Sequence, residues 1–142
     1  MANCNLCEQD GGIVIWSGDD CRVVQVADPD LPGLCRVIWN RHVAEMTDLS
    51  YSEREILMTI VFAVEEAMRQ VMQPNKVNLA SLGNQVPHLH WHIIPRYEDD
   101  PFFPDSVWSQ RKRGEKINPL LVRQQLALQL PKMIRETIAN LH

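Results

Sequence analysis

Three histidines alternate along one short stretch, Pro87-His88-Leu89-His90-Trp91-His92-Ile93-Ile94-Pro95-Arg96. In an extended strand successive side chains point to opposite faces, so His88, His90 and His92 share one face while Leu89, Trp91 and Ile93 share the other and face the core. Imidazoles two residues apart on such a face sit roughly 6–7 Å from one another. Three of the chain's five histidines can therefore meet one phosphate-sized group or one ion. An imidazole with its ordinary pKa of about 6.5 is largely neutral at pH 7, and so nucleophilic. It can attack phosphorus and form a phospho-histidine, dividing one hard displacement into two easier ones. Phosphoryl transfer also needs donors to the non-bridging oxygens, which flanking imidazoles supply. Two other readings stay open. All three histidines could chelate a catalytic ion, although a flat strand strains that geometry, or the stretch is simply an exposed strand face rich in histidine.

A second group capable of chemistry is Cys4-Asn5-Leu6-Cys7. Two thiolates at this spacing grip one zinc ion, which needs two further ligands for a closed tetrahedral site. Otherwise they are two unliganded cysteines in a loose terminus. No strand precedes the pair, which argues against a thioredoxin-like redox role. Cys21 and Cys35 lie in apolar, strand-like runs and read as small core residues.

The elements that must position these groups follow from local signals. Ile13 to Trp16 and Cys21 to Val26 are separated by the turn residues Ser17-Gly18-Asp19-Asp20 and read as a hairpin. A connector with two prolines and a glycine, Asp28 to Gly33, leads to a third strand, Leu34 to Trp39. Ser50-Tyr51-Ser52-Glu53 fits a capping box. Ile56, Leu57, Ile60, Val61, Val64, Ala67, Met68 and Val71 then recur at helical spacing, and the helix must stop before Pro74. Val77 to Leu82 is a fourth strand and Pro87 to Ile94 the histidine strand. Asn118-Pro119 starts a terminal helix, and Pro131 breaks or restarts it, giving two pieces up to about Asn140. With few crossovers between strands, the fold class is α+β, a mostly antiparallel sheet of about five strands with one long helix and short C-terminal helices.

Bulk properties bound the function. The chain has 142 residues, 45% hydrophobic and 23% charged, the usual make-up of one soluble domain. A net charge of -4 argues against a broad nucleic-acid face. No apolar run reaches membrane-spanning length and no signal peptide is evident, so a cytoplasmic location is expected. Arg111-Lys112-Arg113 with Lys116 is either a solvated loop or a positive rim for a phosphate ligand.

His88-Leu89-His90-Trp91-His92-Ile93-Ile94 resembles, at every position, the His-φ-His-φ-His-φ-φ signature of the histidine triad (HIT) superfamily, φ being apolar. Pro32-Gly33-Leu34-Cys35-Arg36-Val37-Ile38-Trp39-Asn40-Arg41-His42 is similar to the family's Pro-Gly-His-x-Leu-Val-x-Pro-Lys-x-His segment. The resemblance covers about Val23 to Arg96. It implies a single HIT-like domain over residues 1–142, with a Cys-x-x-Cys segment at 1–12 and a C-terminal extension at 97–142. It also implies a homodimer acting on a purine nucleotide-type substrate. The expected activity is a nucleotide hydrolase or nucleotidyl transferase, cleaving a nucleoside phosphoramidate or dinucleoside polyphosphate at the α-phosphate. His90 is then the nucleophile, carrying a nucleotidyl intermediate. His92 contacts the α-phosphate, and His88 does likewise or assists the leaving group. A non-catalytic nucleotide-binding protein is the other outcome.

The family's Gly-Gln-Ser/Thr-Val loop reads Gly83-Asn84-Gln85-Val86 here, so Asn84 and Gln85 are either phosphate ligands or plain turn residues. An acid before Pro-Gly often meets the ribose in the family. Asp28 or Asp30 can do this, or each can simply form a turn. Arg96 either reaches a phosphate or pairs with Glu98 or another acid. No cofactor is required for catalysis by this resemblance. In some branches a Cys-x-x-Cys pair is completed by two histidines, which implies a structural zinc on Cys4, Cys7, His42 and His88. That role for His88 conflicts with a role at the phosphate.

Overall fold

The two apolar runs before Asp28 form the expected hairpin, and every later strand adds to it antiparallel. The computed structural model describes residues 3–114 and 116–141. In chain order the elements are α1 (Asn5–Glu8), β1 (Ile13–Ser17), β2 (Cys21–Gln25), β3 (Cys35–Trp39), α2 (Tyr51–Met72), β4 (Lys76–Ala80), β5 (His90–Arg96), α3 (Ile117–Ala127) and α4 (Leu130–Ala139). The sheet order is β1-β2-β3-β5-β4. The α+β expectation holds for the five strands, the long helix and the two C-terminal helices, and the structure adds the one-turn helix α1.

Helix α2 begins where the sequence places it. The Ser50 hydroxyl accepts from the Glu53 amide at 3.2 Å, and the Glu53 carboxylate accepts from the Ser50 amide at 2.8 Å. These two bonds satisfy donors that a helix start otherwise leaves open. The helix ends at Gln73, in the left-handed conformation, one residue before Pro74. Its inner stripe, Leu57, Val61, Val64, Met68 and Met72, packs on Cys21, Val23, Cys35, Val37, Leu89 and Ile93. Leu130 and Ile134 of α4 close the same core. Burial drives the Cys21 and Cys35 thiols up to about 12, so both are inert protonated core groups.

The opposite face of the sheet carries the site. Its cover comes from the N-terminal turn, the connector before β3 and the segment after β5. Leu6 of α1 packs on Val24 and Ile38, while Phe102, Leu31 and Leu34 pack on Ile94. Arg22 fastens the N-terminal segment. Its guanidinium donates to the carbonyls of Leu6 (2.7 Å), Gln9 (3.1 Å) and Asp10 (3.0 Å). The Cys-x-x-Cys segment is thus a packed turn and not a loose terminus.

Residues 97–113 are held by Asp100. Its carboxylate accepts from Arg96 Nε at 2.8 Å and from the amides of Tyr97, Phe102 and Phe103. Arg96 also donates to Asn78 Oδ1 and to the Asp105 carbonyl, both at 2.7 Å. The guanidinium is 2% exposed and fully engaged, so Arg96 is not a phosphate ligand. It takes the ion-pair role, with Asp100 in place of Glu98. Although burial opposes its charge, Asp100 is held below the ordinary carboxyl range by Arg96 and the three amides. Replacing Asp100 with Asn strands the buried Arg96 charge and costs about 3 kcal/mol. A lowered urea midpoint at unchanged slope checks this. The basic cluster also serves this segment. Arg111 pairs with Asp30, Lys112 with Asp105, and Arg113 donates to the carbonyls of Asp100 and Phe103.

Candidate functional site

The three histidines separate into two environments. Strand β5 begins at His90. His88 precedes it in a tight turn, with its amide donating to the Val86 carbonyl at 2.8 Å. Its side chain is fully buried, and Nε2 lies 2.5 Å from the Trp39 carbonyl. Nε2 must carry the proton there, which leaves the Nδ1 lone pair bare. Nδ1 lies 3.4 Å from Cys4 Sγ, 3.4 Å from Cys7 Sγ and 3.2 Å from His42 Nδ1. Cys7 Sγ is 3.3 Å from His42 Nδ1. All four donor atoms lie within 4.8 Å of one another.

Such a cluster fits a tetrahedral metal. Zinc bond lengths of about 2.0–2.1 Å to nitrogen and 2.3 Å to sulfur place ligand atoms roughly 3.3–3.8 Å apart across a tetrahedron. Two thiols and two ring nitrogens at the observed separations fit that pattern. One turn of α1, with the Cys7 and Glu8 amides both donating to the Cys4 carbonyl at 3.2 Å, brings the two sulfurs together. His88 is therefore no phosphate ligand and no partner in a three-histidine chelate, because its side chain is turned into this cluster and away from the other two.

His90 and His92 line a cavity of about 620 Å³ together with Arg36, Asn84, Gln85 and Trp108. That volume suits a ligand of nucleotide size. His90 Nδ1 donates to the His88 carbonyl at 2.6 Å, so Nε2 holds the lone pair, and no described residue bonds to it. The His90 and His92 rings meet edge to face with centroids 4.9 Å apart, and Trp108 meets the far side of His92 at 5.0 Å. Both rings are largely buried, His90 at 8% exposure and His92 at 7%. The strand face is covered by the N-terminal turn and by Trp108, and is not a simple exposed face rich in histidine.

Asn84 and Gln85 stand at the cavity rim with exposed side chains, beside Gly83 at φ +74°. A left-handed φ of this kind favours glycine. Asp28 does not line the cavity. Its carboxylate accepts from the Asp30 amide at 2.9 Å and shapes the connector, while Asp30 is committed to Arg111. Sequence reasoning missed Arg36 and Trp108. The signal for Arg36 was available as a lone charge inside the apolar run Leu34 to Trp39, at a register position directly opposite His92. Trp108 lies in an irregular segment that carries no such signal.

Burial, with the neighbouring His90 and Arg36 adding to it, pushes His92 down to about 4. The unfolded chain binds a proton at His92 below about pH 6.5 that the folded protein refuses until about pH 4. Stability is therefore lost as pH falls through that window, by about 3 kcal/mol at its lower end. Urea denaturation at pH 7 and pH 4 checks this, since His92→Gln must lose less stability on acidification than wild type by about that amount.

Residues 8–99 match the sequence profile of the HIT domain. The chain belongs to the HIT family. An asymmetrical bis(5'-nucleosyl)-tetraphosphatase of Schizosaccharomyces pombe is 36% identical over 92 residues, 61% of this chain and 50% of that protein. An AP-4-A phosphorylase of Mycobacterium tuberculosis is 28% identical over 118 residues, 79% of this chain and 58% of that one. This HIT protein thus spans about half the length of these two relatives. A histidine triad protein of Bradyrhizobium japonicum superposes with a TM-score of 0.70 at 27% identity, over 91% of this chain and 92% of its own.

Proposed function

We propose that this HIT protein is a nucleotide hydrolase or nucleotidyl transferase that cleaves at the α-phosphate of a nucleoside phosphoramidate or dinucleoside polyphosphate. The observation that carries the reading is the His90 tautomer, with Nδ1–H fixed on the His88 carbonyl and a bare Nε2 in a nucleotide-sized cavity. The Nε2 lone pair forms the bond to the α-phosphorus as the bond to the leaving group breaks, giving a nucleotidyl-His90. Water then attacks the same phosphorus and loses a proton. The N–P bond breaks and a nucleoside monophosphate leaves. His92, neutral over most of the pH range, donates one N–H to a non-bridging oxygen. The Asn84 and Gln85 amides approach the phosphates from the rim. The activities for which the two relatives are named favour dinucleoside polyphosphates.

Cys4, Cys7, His42 and His88 hold a structural zinc. When bound, it closes the N-terminal turn onto the triad strand and takes no part in the displacement. The test is rapid quenching of wild-type protein with diadenosine tetraphosphate and with adenosine phosphoramidate, followed by peptide mapping. A nucleotidyl adduct on the peptide containing His90, together with nucleoside monophosphate release, is the expected result. Release without an adduct, sensitive to chelators, would instead favour metal-dependent hydrolysis. Nucleotide binding with neither release nor adduct would make this a binding protein.

A further inference from the structure

Arg36 is a cation to which the described residues bring no counter-charge. It lies on β3 directly opposite His92 of β5, and on the same face of the sheet. A guanidinium has five N–H donors. At Arg36 only Nη1 has a described acceptor, the Gly11 carbonyl at 3.2 Å. Nε is shut off from solvent, and no described atom accepts from it. None of the described acidic groups pairs with Arg36, and none of the residues lining the cavity is acidic. Partial burial already weakens its hold on its proton, the mark of a cation in a poor dielectric. A half-buried, unpaired guanidinium is costly unless a ligand supplies the missing acceptor.

The position is also built. Gly11, at φ +86°, brings its carbonyl to Nη1. That left-handed φ favours glycine, and a Cβ there would also press on Ile38 Cδ1 at 2.7 Å and Leu6 Cδ2 at 2.8 Å. Arg36 therefore has its orientation set from one side, with the cavity on the other. His92, beside it, is neutral, which makes Arg36 the fixed positive charge of the cavity. It stands diagonal to the nucleophile across the β3–β5 pair, since His90 faces Ile38, with the two backbones roughly 7–8 Å apart. That offset sets the guanidinium to one side of the phosphorus under attack, where a neighbouring phosphate stands. Guanidinium forks are matched to phosphate oxygens in both geometry and charge.

Resting on the reading of His90 as a nucleotide site, we infer that Arg36 binds a second phosphate of the substrate, distinct from the one His90 attacks. The site then selects nucleotides with two or more phosphates over those with one. The second phosphate can stand next in a 5'-chain or on the ribose.

Calorimetry separates these sources. The parent is His90→Asn, which prevents turnover, and the probes are AMP, ADP and adenosine 3',5'-bisphosphate. At least one two-phosphate probe binds ten-fold or more tightly than AMP, and Arg36→Met reduces that preference to about one. Arg36→Lys restores part of it, and melting curves confirm that each variant is folded. Preference for ADP assigns a chain phosphate, and preference for the bisphosphate assigns a ribose phosphate. Binding of AMP with no such preference in the parent, or equal loss for all three probes in Arg36→Met, overturns the Arg36 assignment alone. An Arg36-dependent preference in a protein whose wild type forms no His90 adduct overturns the covalent mechanism and leaves the second-phosphate site standing. Failure of all three probes to bind overturns both.

Discussion

His90→Asn lowers turnover by roughly 10⁴-fold or more while the protein stays folded. Asparagine keeps an N–H that can reach the His88 carbonyl, so the main-chain acceptor is not stranded. It has no nitrogen lone pair to place on phosphorus. The cost to the fold is small, about 1 kcal/mol, because His90 faces the cavity and belongs to none of the apolar clusters. His92→Gln behaves differently. It retains an amide donor near the non-bridging oxygens, and turnover falls by about 10²-fold, the scale of one weakened transition-state hydrogen bond. Single-turnover release of nucleoside monophosphate, measured beside thermal melts, checks both. A folded His90→Asn protein within 100-fold of wild type would remove the nucleophile assignment, whatever the behaviour of His92.

What the sequence made legible follows from which interactions are local. The hairpin turn at Ser17 to Asp20, the Ser50 and Glu53 cap, the stop before Pro74 and the restart at Pro131 all act within a few residues. Each appears where its signal lies. The core-directed set Leu89 and Ile93 was readable from alternation alone, since a strand gives its side chains only two directions. The division of labour among the histidines was not readable that way. His88 is drawn out of the row by sulfurs about eighty positions earlier in the chain and by the Trp39 carbonyl, and period-two reasoning cannot weigh partners that arrive through tertiary packing. Arg96 and Asp28 show the same limit. Both lie near the motif in sequence, yet Arg96 is consumed by Asp100 and Asn78, and Asp28 by its own turn. Arg36 shows the converse. Inside an apolar run it reads as part of a strand, and only the β3–β5 register sets it against His92.

Loss of the metal couples the two halves of the site and gives the second large effect. Untagged protein contains about one zinc per chain, and Cys7→Ser contains far less. The melting temperature falls by about 10 °C on chelation or in the variant, since a ligand held only by the folded state stabilises it by mass action. Catalysis falls further than stability alone requires, by about ten-fold in kcat at a temperature where the chain is still folded. The reason is geometric. His88 supplies its ring to the cluster and its carbonyl to His90 Nδ1, so a ring released from the cluster frees the carbonyl that fixes the nucleophile's tautomer. Reloading with zinc or cobalt must restore the melting temperature and kcat together. The pH profile of kcat must be the same with either metal, because an ion bearing a reactive water would impose its own pKa on the rate. A profile that moves with the metal would place the ion in the reaction. A chain that purifies without metal and melts unchanged with chelator would leave the four side chains as a fortuitous cluster and the His88 carbonyl as the whole of the support for His90.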